Sequence, residues 1–147
     1  MNAEALYIAY GTDALQLTLN LLQAADIASE LDSRMHVFLK PNLVMAREAS
    51  SGITTHPQLA EGVIRYLLDT GVRRITIAES SWTGGDTRRA FQVCGYDRLE
   101  EEYGRYGLRL LDLKTDSAQA VEVRGGRYKV FRSIKEADYL INLPVLK

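Results

Sequence analysis

Two short stretches carry the same grouping of residue types, Lys40-Pro41-Asn42 and Asn142-Leu143-Pro144-Val145-Leu146-Lys147, each joining an asparagine, a proline and a lysine. Glu79 and Ser80 follow a third apolar run, Arg74 to Glu79. Ammonium groups hold and polarise anions or carbonyl oxygens, amides and hydroxyls orient them, and a carboxylate serves as general acid or base or as the partner of a lysine. Lys40, Glu79 and Lys147 are therefore candidate catalytic groups, with Asn42, Ser80 and Asn142 as candidate ligand-binding groups. His56 is the fourth catalytic candidate, because imidazole titrates near neutral pH and His36, the other histidine, falls inside an apolar strand pattern. Taken singly, each of these residues is also what strands and loops ordinarily contain where they meet. The functional reading rests on their convergence.

That convergence depends on the elements that carry them. Met35 to Lys40 reads as a strand stopped by Pro41, which has no N–H for a ladder. Thr55-His56-Pro57-Gln58 fits a capping box with Thr55 as cap, opening a helix whose buried stripe is Leu59, Val63, Tyr66 and Leu67 and whose stop is Gly71. Arg74 to Glu79 is the next strand, so the segment is a βαβ unit with parallel pairing. Before it, Ala5 to Tyr10 reads as a strand and Asp13 to Ala28 as an amphipathic helix capped by Asp13. After it come a loop through Gly84 and Gly85, a helix capped by Asp86 and stopped at Gly95, and a second short helix over Asp97 to Tyr103. Leu108 to Leu113 is a further strand, and Ala120 to Arg124 and Arg127 to Arg132 flank Gly125-Gly126 as a β-hairpin. A helical turn at Ser133 to Ala137 and a strand at Tyr139 to Leu143 complete the pattern.

Alternating strands and helices define an α/β fold, a three-layer arrangement with a mainly parallel sheet, helices on both faces and an antiparallel hairpin. Parallel strands share their carboxyl ends, so Lys40, Asn42, Glu79 and Asn142 are expected at one end of the sheet, where such folds bind ligands. The helix starts near Thr55 and Asp86 would aim backbone N–H groups at the same crevice, and Gly84 and Gly85 would let a ligand approach the backbone. Thr55, Gly84 and Gly85 accordingly join the ligand-binding candidates. Neither the dinucleotide fingerprint nor the phosphate-loop pattern is present, so a tightly held nucleotide is not supported.

Composition narrows the classes. The 147 residues fit one domain, and 46% hydrophobic with 25% charged residues is the balance of a folded globular chain. A net charge of -1, with Lys and Arg dispersed, favours neither nucleic acid nor a membrane as partner. No apolar run approaches the roughly 20 residues that cross a bilayer, and no signal peptide is visible, which reads as cytoplasmic. The single cysteine, Cys94, excludes an internal disulfide and, beside two histidines, a set of soft metal ligands; it reads as a core residue. A sheet edge left open beside the last strand makes a homodimer the expected assembly.

Lys40-Pro41-Asn42-Leu43-Val44, Thr54-Thr55-His56-Pro57, the Gly71-to-Glu79 segment, Gly95-Tyr96 and the run from Asp138 to Lys147 together resemble the family called domain of unknown function 362, from about Met35 onward. The resemblance implies a Rossmann-like α/β domain in a family whose longer members often carry a ferredoxin-type segment with two four-iron clusters. It implies redox surroundings, with any iron-sulfur cluster on another segment or on a ferredoxin-type partner, since this chain has no cysteine motif. Family members continue past the last lysine, so residues 1–147 are expected to be one α/β domain at the N-terminal part of a longer architecture. The expected activity is binding of a small anionic metabolite at the strand ends, in a redox-linked enzyme whose cofactor remains open. The alternative is a non-catalytic binding or scaffold module that docks a partner protein or a cluster-bearing domain.

Overall fold

A computed structural model describes residues 5–146. In chain order the elements are α1 (Ala14–Ala24), β1 (His36–Pro41), α2 (Pro57–Asp69), β2 (Arg74–Glu79), α3 (Thr87–Val93), α4 (Asp97–Tyr103), β3 (Leu108–Asp112), β4 (Ala118–Val123), β5 (Gly126–Phe131), α5 (Arg132–Lys135) and β6 (Tyr139–Leu143), with short 3-10 helices in four of the connections. The sheet has the order β3-β2-β1-β6 and is parallel throughout, and β4 and β5 form a separate antiparallel pair. The fold is α/β.

The two faces are covered unequally. Val37, Leu39, Ile75, Ile77 and Leu108 alternate onto one face, where Val63, Ile64 and Leu67 of α2 and Phe91, Leu99 and Tyr103 from the α3 and α4 segments bury them. The intervening residues Phe38 and Ala78 point to the other face, together with Leu113 just beyond β3. Among the described residues, that face receives no long helix. Phe131 of the hairpin, Ile134 of the single turn α5, and Ala137 close over it.

Local signals placed most of these elements. Asp13 caps α1, its carboxylate accepting the Gln16 N–H at 3.0 Å. Asp86 caps α3 in the same way through the Arg89 N–H, and Gly71 and Gly95 take positive φ after α2 and α3. Cys94 is buried, its thiol donating to the Arg47 carbonyl, and burial pushes its pKa up.

Four expectations need correction. Ala5 to Tyr10 is not a strand: Leu6, Ile8 and Tyr10 are 83%, 63% and 89% exposed, and no described strand lies alongside to complete a ladder. The first helix stops at Ala24, because Asp26 turns left-handed (φ 50°) and the chain continues as a 3-10 helix over Ile27–Glu30. Thr55 does not cap α2; His56 does, its Nδ1 accepting the Gln58 N–H at 3.3 Å. The two-residue hairpin turn is Arg124-Gly125, since Val123 pairs with Gly126, which belongs to β5.

At the N-terminal end of the sheet, His36 is buried and its Nε2 lies 2.8 Å from the Thr76 hydroxyl. Burial, followed by the nearby charges of Arg74 and Arg109, lowers its pKa from the usual 6.5. The folded chain therefore holds His36 neutral while the unfolded chain takes up a proton as pH falls below 6.5, so the stability contribution is present above that pH and is lost on acidification toward the folded-state pKa. Urea unfolding should show stability falling between pH 7 and pH 5.5 more in the native chain than in His36→Gln. Equal slopes in the two would refute the assignment.

Candidate functional site

The register places the candidates at one end of the sheet. Lys40 is the Cα partner of Asn142, and Leu39 is that of Ile77, two residues before Glu79. From β1 the chain steps to β2 and β3 on one side, then returns through the hairpin to β6 on the other. The connections thus diverge between the carboxyl ends of β1 and β6, the position at which doubly wound sheets open a ligand crevice.

Glu79 organises the ends of β1 and β2. Its buried carboxylate accepts the Ser80 N–H (2.7 Å) and the Leu43 N–H (2.8 Å), and Lys40 Nζ lies 3.1 and 3.3 Å from its two oxygens. With these partners, most of its acceptor capacity is used. Glu79 is a positioning residue for Lys40 and for the two loops. Lys40, whose side chain is 41% exposed against 5% for Glu79, also reaches the Pro41 carbonyl at 3.3 Å. An ammonium has three donors and Lys40 Nζ has three acceptors within 3.3 Å, so a ligand anion would compete for the longer contacts of a side chain that is 41% exposed.

Lys40 borders a pocket of about 360 Å³ formed where the hairpin and α5 lean over the sheet. Lys40, Glu79, Ser80 and Lys129 are its polar lining, and Leu113, Val130, Phe131, Ile134 and Leu140 its apolar walls. Lys129 makes no ion pair among the described residues. Sequence reasoning missed Lys129 and the five apolar residues. The alternation of β5 marks which residues share a face, but nothing local says that the hairpin folds back over β1 and β2.

The other candidates are not gathered there. Thr55 is buried between the β1 and β6 ends, its hydroxyl accepting the Asn42 N–H at 2.8 Å and donating to the Leu143 carbonyl at 2.6 Å. It closes the gap at the switch point. Asn42 spends its side-chain amide on the Ile53 carbonyl, 2.8 Å away, which holds the loop after β1. Asn142 is exposed and borders apolar clefts toward α1 instead of the lysine pocket. His56 is exposed at the start of α2, outside the pocket lining.

Gly84 and Gly85 lie in the loop after β2, where a Cβ at Gly84 would meet the Trp82 indole at 3.0 Å and one at Gly85 the Ser81 Cβ at 3.2 Å. Their small size serves the fold of the loop, and Lys114 Nζ donates to the carbonyls of Trp82 and Gly85. The N-termini of α2 and α3 accept their own caps, His56 and Asp86, so each has already given one N–H to the chain itself. Lys147 lies outside the described residues.

Thr55→Val should cost about 2 kcal/mol in urea unfolding, because it orphans the Asn42 N–H and the Leu143 carbonyl beside apolar surroundings. Thr55→Ser should recover most of that loss. If valine is tolerated as well as serine, the bridge does not hold the strand ends.

Iron-sulfur clusters take thiolate ligands, usually four. The chain has one cysteine, buried and donating to a carbonyl, and no group of His, Cys, Asp and Glu suited to a metal occurs among the described residues. These residues do not fit a cluster.

The arrangement is that of an α/β protein with a lysine-lined pocket at its strand ends. The chain belongs to the family described as Domain of unknown function (DUF362), whose model matches residues 37–147. No curated protein and no solved structure matches it. No helix among the described residues is long and apolar enough to cross a membrane.

Proposed function

We propose that this chain binds a small anionic metabolite in the pocket between β1, β2 and the hairpin, Lys40 and Lys129 holding its charged group and the apolar walls its carbon body. The observation that carries this reading is the Lys40 ammonium, fixed by the buried Glu79 at the edge of an apolar-walled pocket with a second, unpaired lysine opposite. Ammonium groups in such a setting bind carboxylate or phosphate oxygens and polarise an adjacent carbonyl. Divergence of the connections between β1 and β6 supports the same end of the sheet as the ligand end, as in Rossmann-like folds. The redox link rests on the family's association with ferredoxin-type segments, and the cluster would sit on another segment or partner.

A thermal-shift series with carboxylates, phosphates and nucleotides tests this, since a ligand at 100 times its Kd stabilises the native state by about 2.7 kcal/mol. Anions with an apolar body should raise Tm, and Lys129→Ala should remove most of the rise without lowering the melting point of the free chain. No rise with any anion, or a rise that Lys129→Ala leaves unchanged, overturns the proposal. Trp82, 65% exposed on the loop at the same end of the sheet, favours a second reading, a scaffold that docks a partner protein. In that case Trp82→Ala abolishes association with a ferredoxin-type partner, while no anion moves Tm.

A further inference from the structure

The opposite, N-terminal end of the sheet holds a second polar cleft that the proposed pocket does not use. On the face where Phe38 and Ala78 are covered by the hairpin side, the preceding residues of each strand, His36, Arg74, Thr76 and Arg109, stay clear of that cover and line a cleft of about 210 Å³ with Gly107. The register explains the grouping: His36 pairs with Arg74 and Thr76 with Arg109, and residues paired across parallel strands share a face.

The floor of the cleft is fixed. Thr76 is fully buried, and its hydroxyl accepts from Arg109 Nε at 2.8 Å while facing His36 Nε2 at the same distance. Arg109 is thereby anchored through Nε while it lines the cleft. Neither Arg74 nor Arg109 forms an ion pair among the described residues. The neighbouring Arg73 is turned elsewhere, its Nη1 bonded to the Leu68 and Val72 carbonyls. Two acids act on His36 from outside the lining: Asp138, which accepts its backbone N–H at 2.7 Å, and Glu136, which pairs with Arg132. Two guanidinium groups thus line a cleft beside a neutral imidazole, with no carboxylate in its wall, and an anion there would offset the repulsion between the two guanidinium charges. Guanidinium forks match the paired oxygens of a phosphoryl group better than a point charge does.

We propose that this cleft binds a phosphate group, free or carried by a small molecule, between the guanidinium groups of Arg74 and Arg109 above a floor of Thr76 and His36. The site is separate from the lysine pocket and does not depend on the function proposed for it. With only two histidines in the chain, His36 and His56, their ring resonances report the location of binding directly. Titration of the full chain with inorganic phosphate, and separately with glycerol phosphate, should shift the His36 ring signals saturably and leave those of His56 in place. The relative affinities of the two probes then tell whether the group is taken free or esterified. Arg74→Gln, which leaves the Arg109–Thr76 bond intact, should weaken binding at least tenfold, and sodium chloride at matched ionic strength should produce no saturable shift. A His36 signal that moves with neither phosphate, moves equally with chloride, or saturates at the same concentration in Arg74→Gln overturns the site.

Discussion

Gly107→Ala should destabilise the chain by about 4 kcal/mol or more, a large part of the 5–15 kcal/mol that holds an ordinary domain together. Gly107 stands immediately before β3 at φ +102°, and a Cβ there would lie 1.7 Å from the Arg73 carbonyl oxygen and 2.7 Å from its carbon. Both are backbone atoms of the residue just before β2, so no rotamer change relieves the overlap. The Gly107 carbonyl also accepts the Ile75 N–H at 3.1 Å, beside the first β2–β3 register pair, Ile75 with Leu108. Moving the backbone to admit a methyl group would therefore break the start of that ladder. Gly125 is the internal comparison: at φ +107° it carries similar backbone strain with nothing within 4 Å of its Cβ position. Gly125→Ala should cost only the strain of an L-residue in left-handed backbone, about 1–2 kcal/mol. Urea midpoints in which the two variants fall equally would show that conformation, not the approach of Arg73, requires glycine at 107.

The contrast between these glycines illustrates what the sequence discloses. Glycine after an apolar run signals a stop or turn, and Gly71, Gly95 and Gly125 could be read in that way because their reason is local. Gly107 depends on a strand more than thirty residues earlier, and nothing within its own segment announces that. The same division runs through the fold. Arg74–Glu79 forms as its short apolar run indicates, buried on both faces, and Asp97–Tyr103 forms the helix expected there. Ala5 to Tyr10 has equal strand character and forms no strand, because a strand exists only with a partner alongside. Thr55 fits a cap by spacing, yet its hydroxyl is held by Asn42 and Leu143, the latter 88 positions away, and the cap passes to His56.

The strand-end rule places Lys40 and Glu79 at one end of the sheet, where they lie in contact, but it does not bring the other candidates into the pocket they border. It predicts which end of the sheet is polar, not which side chains turn toward one another, and so it admitted Asn142 and His56 and left out Lys129. Lys129 enters only because the hairpin, a sheet of its own, folds over the lysine end of β1. Composition and spacing carry no record of that packing.

Glu79→Ala should cost about 3 kcal/mol, whereas Lys40→Met should cost about 1 kcal/mol or less. The asymmetry follows from the partners. Removing the carboxylate leaves the Leu43 and Ser80 N–H groups and the Lys40 ammonium without their acceptor, and the Leu43 bond is buried. Removing Lys40 instead leaves a carboxylate that still accepts two backbone N–H groups, and the side chain lost was 41% exposed, where solvent screens an ion pair. Glu79→Gln is not a mild substitute, because an amide supplies one acceptor oxygen and turns an NH2 toward a donor that needed the other. It should lie between the two in urea unfolding. Anion binding should separate the roles further: Lys40→Met, folded and nearly as stable as the native chain, should lose most of the anion-induced rise in Tm, since its ammonium charge lines the pocket. Glu79→Gln should lose part of it through a mispositioned Lys40. A Lys40→Met chain less stable than Glu79→Ala would mean that the lysine, not the glutamate, organises the strand ends, and full anion response in Lys40→Met would remove Lys40 from the binding group altogether.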